Sequence, residues 1–410
     1  MTSNNKNKNN HSKNNIPAHS VDTRELALEM LIEINERGEF SHIVLRSVLD
    51  KYQYLPKQDR AFMTRLVDGT IEYMLQLDYI IDSFSKTKVK KMKPFIRNLL
   101  RMSVYQIKYM DAVPDSAVCN EAVKLAKRHK FAQLSGFVNG VLRNIARNID
   151  SVQLDTLSIR YSMPQWIVDR FVAAYGEKKA EEIFKAFHSK STISIRTNLT
   201  RCTSDELRAM LEAEGVTVTA VDELNYAFVI SGFDYLNGLQ SFRDGLFYVQ
   251  DISSMLVAQT AAPKKGDYVI DVCAAPGGKS THIAELMQGS GHVLARDLTD
   301  TKVGMLEENI ERHGLNNMSA EVWDATVPDT DSVGKADILI CDLPCSGLGV
   351  LGRKKDIRYK MTPESVDELV ALQRQILDTV YTYVKPNGVL VYSTCTIDEA
   401  ENEDNVRWFV

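Results

Sequence analysis

Long apolar runs are missing from this 410-residue chain, and none approaches the roughly 18 residues of a membrane span. The N-terminus is polar and offers no apolar signal core. Cysteine is scarce: six residues at irregular spacings do not resemble a disulfide framework and suggest a reducing cytoplasm. An excess of one charge is lacking too. The net value of −5 gives no global pull toward nucleic acid, so any such contact must come from local patches. A soluble cytoplasmic protein with no membrane association is expected. The 44% apolar content, in contrast, is ample for two or three domains with real cores.

Residues 1–18 form an Asn/Lys/Ser/His tract with almost nothing to bury, which reads as a disordered tail. Asp22-Thr-Arg-Glu25 has the form of a helix start, and the pattern stays helical to about Asp150. Leu66, Val67, Ile71, Met74 and Leu75 make one helical stripe; Ile96, Leu99, Leu100, Val104 and Ile107 make another. Pro94 suits the first turn of its helix. Residues 19–150 are therefore expected to form an all-helical domain. Lys86, Lys88, Lys90, Lys91, Lys93, Arg97 and Arg101 come with no acid between them, and Lys124, Lys127, Arg128, His129 and Lys130 follow. These clusters are either a solvated face or a phosphate-contacting surface.

Residues 151–245 read as a linker and a small α+β unit. Its helices are expected at Gln165–Tyr175, Lys178–Ala186 and Ser204–Glu214, and its strands at Thr192–Arg196, Thr217–Ala220 and Ala227–Ile230. From Leu246 to Val410 strands and helices alternate, which predicts a doubly wound parallel sheet.

Ligands bind such sheets beyond the carboxyl ends of the strands. Strand Tyr268–Val272 runs into Cys273-Ala274-Ala275-Pro276-Gly277-Gly278-Lys279, whose small residues let backbone approach a ligand at a helix N-terminus. Strand His292–Arg296 ends at Asp297, where this fold places an acid for ribose hydroxyls. A third strand is expected to end at Asp324 and a fourth, Ala336–Ile340, to lead to Asp342. Asp often terminates strands, yet four strand-end acids in succession, Asp271 included, are hard to assign to capping alone. The turn lacks the Gly-x-Gly-x-x-Gly of nicotinamide sites. Gly278-Lys279-Ser280 ends like a phosphate-binding loop, but its first glycine should fall on Cys273 and Pro276 lacks an amide. S-adenosylmethionine fits better, with ribose and adenine to bind and no phosphates.

Of the four cysteines in this region, Cys341 lies within a strand and reads as core. No paired spacing suits zinc, so no metal is expected. Cys345 and Cys395 each follow a strand end, the latter after Gly388–Tyr392. Two thiols suit methylation of a pyrimidine at carbon 5: one adds to carbon 6, and the second assists breakdown of the adduct. An acid such as Asp342 can hold the base edge. Chemistry alone does not rank the two thiols.

Asp271-Val-Cys-Ala-Ala-Pro-Gly-Gly-Lys279, Asp342-Leu-Pro-Cys-Ser-Gly347 and Ser393-Thr-Cys395 resemble the motifs of the RNA cytosine-5 methyltransferases of the Nol1/Nop2/Sun group. Asp59-Arg-Ala-Phe62, Ala117-Val-Cys-Asn-Glu-Ala-Val123 and Phe137-Val-Asn-Gly-Val-Leu-Arg143 resemble a NusB-like RNA-binding domain. The combination is similar to bacterial 16S rRNA cytosine-5 methyltransferases. The resemblance implies a Rossmann-like class I methyltransferase domain behind the NusB-like domain and an RNA-recognition-like subdomain. It also implies S-adenosylmethionine as cofactor, held by Cys273–Lys279, Asp297, Asp324 and Asp342. It makes Cys395 the nucleophile and Cys345 the thiol that assists release. Small-subunit (16S) rRNA is the implied partner, DNA is not, and a monomer is expected. Enzymes of this fold normally continue with two more strands, so an exposed sheet edge is expected after the Cys395 strand.

Overall fold

A helix begins where a side chain can take up its orphan amides, and Asp22 does so by accepting from the N–H groups of Arg24 and Glu25. The computed structural model describes residues 21–189 and 192–410, so the tract 1–18 lies outside the described residues. The chain divides into two units, one ending at Met163 and the other starting at Pro164.

The first unit is helical. Helices Thr23–Arg37, Lys57–Glu72, Pro94–Tyr109 and Ser135–Asn148 bury Leu31, Leu66, Val67, Ile71, Leu99, Leu100, Val104 and Leu142. The stripe that ran on to Met74 and Leu75 is split at Tyr73, where one helix ends and Met74–Phe84 begins. The short helix Leu157–Arg160 also packs here. Gln76 Nε2 donates to the carbonyls of Ile159 and Arg160, and Ser162 Oγ accepts from Leu75 N. The segment 151–163 therefore lies with the helical unit.

The basic clusters need correction. Arg97 donates to Glu36 and Arg101 to Asp78, while Arg128 pairs with Asp22 and Glu25, and Lys124 with Glu121. Burial holds the Asp78 carboxyl above its ordinary value despite its arginine. The arginines thus tie helices together, because acids distant in sequence reach them. Lys86, Lys90, Lys91, Lys93 and Lys127 remain exposed.

In the second unit, strands β1 (Ile193–Thr197), β2 (Thr217–Val221), β3 (Leu224–Ser231) and β4 (Phe247–Val249) form an antiparallel sheet in the order β2-β3-β1-β4. The expected boundary at Leu246 put Phe247–Val249 in the larger sheet. It instead pairs with β1, Arg196 opposite Tyr248. Strands β5 (Tyr268–Asp271), β6 (His292–Asp297), β7 (Met318–Val322), β8 (Ala336–Asp342) and β9 (Val384–Ser393) form the parallel sheet in the order β7-β6-β5-β8-β9. Alternate residues feed opposite cores, as a doubly wound sheet requires. Val269, Ile338 and Ile340 pack with the helices Ile252–Ala261 and Gly278–Leu286; Ile270, Leu339 and Cys341 pack with Ile376, Leu377 and Val380. Cys341 is core, as its place in the strand predicts.

Strand order reverses on either side of β5: β6 and β7 lie to one side, β8 and β9 to the other. Doubly wound sheets place their ligand crevice at such a reversal, here the carboxyl ends of β5 and β8.

Candidate active site

Asp271 closes β5 fully buried, accepting from Ser280 Oγ and from the N–H of Cys273, and burial lifts its carboxyl to about 7. The turn after it is held by its neighbours. Ala274 N donates to Arg296 O at 2.8 Å, Ala275 N to Asp297 Oδ2 at 3.0 Å, and Gly277 N to Ala274 O at 2.7 Å. Pro276 O accepts from Tyr248 Oη and Asn309 Nδ2. Gly277 has a φ of +104°, and an added Cβ there would meet Leu306 at 2.9 Å. Cys273 packs with the apolar layer, and burial pushes its thiol well up. With four amides committed and a proline among them, the turn is a poor phosphate cradle.

Asp297 is buried; besides Ala275 N it accepts from Leu298 N and from Lys302 Nζ, both at 2.8 Å. The third acid differs from expectation. β7 ends at Val322, and Asp324 stands exposed two residues on, its Oδ1 accepting from Thr326 N and Oγ1. Asp342 ends β8 and bridges the crevice: Oδ2 accepts from Lys279 Nζ at 2.6 Å and Oδ1 from Ser393 Oγ at 2.8 Å. Lys279 thus reaches from the β5 turn to the β8 end.

Cys345 and Cys395 arrive from separate strand ends with their sulfurs 3.0 Å apart, and Cys395 N donates to Cys345 Sγ at 3.2 Å. Gly349 lets the two loops touch. Its N–H donates to Cys395 O at 3.1 Å, and a Cβ would sit 2.8 Å from that oxygen. With the sulfurs this close, the Cys395 thiol is lowered to about 7, first through the hydrogen bond from Cys345, then through Lys354 and Lys279, against burial and Asp342. Cys345 moves up correspondingly. Among the described residues no three His, Cys, Asp or Glu side chains are grouped to hold a metal ion. No described helix is long and apolar enough to cross a membrane.

These features have close counterparts. Profiles of the 16S rRNA methyltransferase RsmB/F family, the NusB family and the RsmF/B-like ferredoxin-like domain match residues 258–410, 21–147 and 163–233. The chain is 38% identical over 395 residues to a probable ribosomal RNA small subunit methyltransferase B of Bacillus subtilis, covering 94% of this chain and 88% of that one. The chain belongs to the RsmB/F methyltransferase family. A ribosomal RNA small subunit methyltransferase B of Proteus mirabilis is 30% identical, covering 95% and 92%. The crystal structure of PH0851 superposes with a TM-score of 0.82 at 25% identity, covering 95% of this chain and 89% of that one. A methyltransferase homologue from Pyrococcus horikoshii gives 0.55 at 27% identity, covering 61% and 79%. The expected fold stands: a NusB-like helical domain, then a Rossmann-like methyltransferase sheet. The small α+β unit corresponds to the family's ferredoxin-like domain.

In this RsmB/F chain the sequence reading missed three groups around the thiols. Lys354 faces Cys395, yet it sits in a Lys/Arg run that looks like surface. Gln373 and Glu401 are wholly buried beneath the thiol loops, although Glu401 lies in the acid-rich stretch Glu399–Asn405. Only strand order could have revealed them.

Proposed function

We propose that this methyltransferase forms 5-methylcytosine in small-subunit (16S) ribosomal RNA, using S-adenosylmethionine and a covalent bond between Cys395 and carbon 6 of the base. The observation that carries the reading is the pair of sulfurs 3.0 Å apart at the crevice.

The residues present fit the cofactor. Asp297, Asp324 and Asp342 supply acceptors suited to ribose hydroxyls, an amino group and a sulfonium, while the committed amides of the β5 turn disfavour phosphates. Asp297 and the turn Cys273–Lys279 would hold the ribose and methionine part, and Asp324 would lie toward adenine. The RsmB-family relatives and the exposed lysines of the NusB-like unit support an rRNA substrate.

The target base must leave its stack to reach the thiols. Addition of the Cys395 sulfur to carbon 6 breaks the C5=C6 π bond and makes carbon 5 nucleophilic. When bound, the cofactor supplies an electrophilic methyl group to carbon 5. Loss of the carbon-5 proton to a base re-forms C5=C6 and expels the Cys395 thiolate. Cys345, beside that carbon–sulfur bond, assists release. Asp342, held by Lys279 and Ser393, accepts a hydrogen bond from the base edge.

A denaturing gel of Cys345→Ala with S-adenosylmethionine and 16S rRNA tests this. A covalent protein–RNA band is expected, absent in Cys345→Ala/Cys395→Ala. Wild-type turnover by Cys395→Ala would sink the mechanism. No band together with intact RNA binding would favour a non-catalytic assembly factor.

A further inference from the structure

The two thiol loops share a buried polar support that touches neither sulfur. Glu401 is completely buried and follows Cys395 by six residues. Its carboxylate accepts from Ser346 N at 2.8 Å, from Ser346 Oγ, and from Gln373 Nε2 at 3.0 Å. Ser346 directly follows Cys345, and its hydroxyl lies 3.0 Å from that of Thr396, which directly follows Cys395. Gln373, also completely buried, donates from the same Nε2 to Pro344 O at 2.9 Å, just before Cys345. Cys345 is therefore gripped on both sides, and its grip is hydroxyl-bonded to the Cys395 loop.

A buried carboxylate is costly unless several donors satisfy it, and a fully satisfied network fixes one geometry. A core-filling role alone would need no carboxylate where two loops meet. We propose that Glu401 is a positioning residue that, through Ser346, Thr396 and Gln373, sets the distance between the Cys345 and Cys395 sulfurs and so makes Cys395 a nucleophile. The inference rests on the proposed roles of the two thiols.

The readout is the pH dependence of Cys395 alkylation by iodoacetamide, followed by peptide mass spectrometry in the full chain without RNA or cofactor. The groups facing Cys395 are Cys345, Lys354, Lys279 and Asp342. Wild type should titrate near 7. In Glu401→Ala the sulfurs separate, and the midpoint should climb toward an ordinary thiol value of about 8.5, a roughly fifteenfold loss of thiolate at pH 7. Glu401→Gln still accepts from Ser346 N and can donate to Ser346 Oγ, so it should restore the midpoint. Thr396→Val removes the hydroxyl link to Ser346 together with the acceptor for Asp398 N, and should move the midpoint in the same direction as Glu401→Ala.

A folded Glu401→Ala with the wild-type midpoint overturns the proposal. If that variant does not fold, Thr396→Val decides: an unmoved midpoint overturns it equally. Alkylation needs no substrate, so a chain that titrates as described but forms no RNA adduct would refute the proposed function instead.

Discussion

Arg196 on β1 and Glu285 on the helix Gly278–Leu286 form an ion pair with both side chains almost completely buried. Arg196 also donates to Gln250 Oε1 at 2.8 Å and Thr281 Oγ1 at 3.2 Å. The pair ties the small sheet to the helix that follows the candidate cofactor loop. Glu285→Ala leaves a guanidinium in the interior without its counter-charge, which costs about 3–5 kcal/mol. For a unit of this size each 1 kcal/mol moves the midpoint by about 2–4 °C, so a drop of roughly 6–20 °C follows. Thermal and urea unfolding, read by near-ultraviolet circular dichroism, measure it. Arg196→Met/Glu285→Leu removes both charges and should recover most of the loss, because the penalty lies in the orphaned ion. A Glu285→Ala cost below about 1 kcal/mol, within reach of an ordinary substitution, would refute the reasoning.

Asp297→Asn is expected to weaken S-adenosylmethionine binding about tenfold in calorimetry while leaving rRNA affinity alone; equal loss of both would point to a folding defect. Gly245→Ala places a methyl 1.9 Å from Arg312 O at a φ of +66°, so a lower unfolding midpoint is expected and an unchanged one contradicts the close contact. Asp271 is lifted to about 7 by burial, so between the ordinary carboxylate value and about 7 the folded chain keeps a proton that the unfolded chain has released. Its contribution to stability therefore falls as pH rises through that window. Asp271→Asn should flatten the decline between about pH 4 and 7 in urea midpoints, and an identical slope would exclude Asp271 as its source.

Much of the methyltransferase half was legible because buried parallel strands read as short apolar runs, and the candidate ligand groups sit where those runs stop. Asp271, Asp297 and Asp342 were found that way, and so was the convergence of Cys345 and Cys395. What failed was whatever depends on a partner. Phe247–Val249 is apolar enough for either sheet, and only its pairing with β1 assigns it. Arg97 and Arg101 looked free because Glu36 lies 61 residues and Asp78 23 residues away. Glu401 hid among acids, since nothing local tells a carboxylate that will be enclosed from one that stays wet. Asp324 was placed at a strand end, but the strand stops two residues earlier and a turn onto Thr326 takes over.

Chain order gives the site a timetable. The helical unit is complete at Met163, whereas the sulfurs cannot meet until Cys395 has been added, about 230 residues later. At roughly 5–20 residues per second, a growing chain carries a finished N-terminal unit for roughly 10–50 s before its proposed nucleophile exists. A partner bound by that unit during synthesis is held before this chain's own pair of thiols has formed.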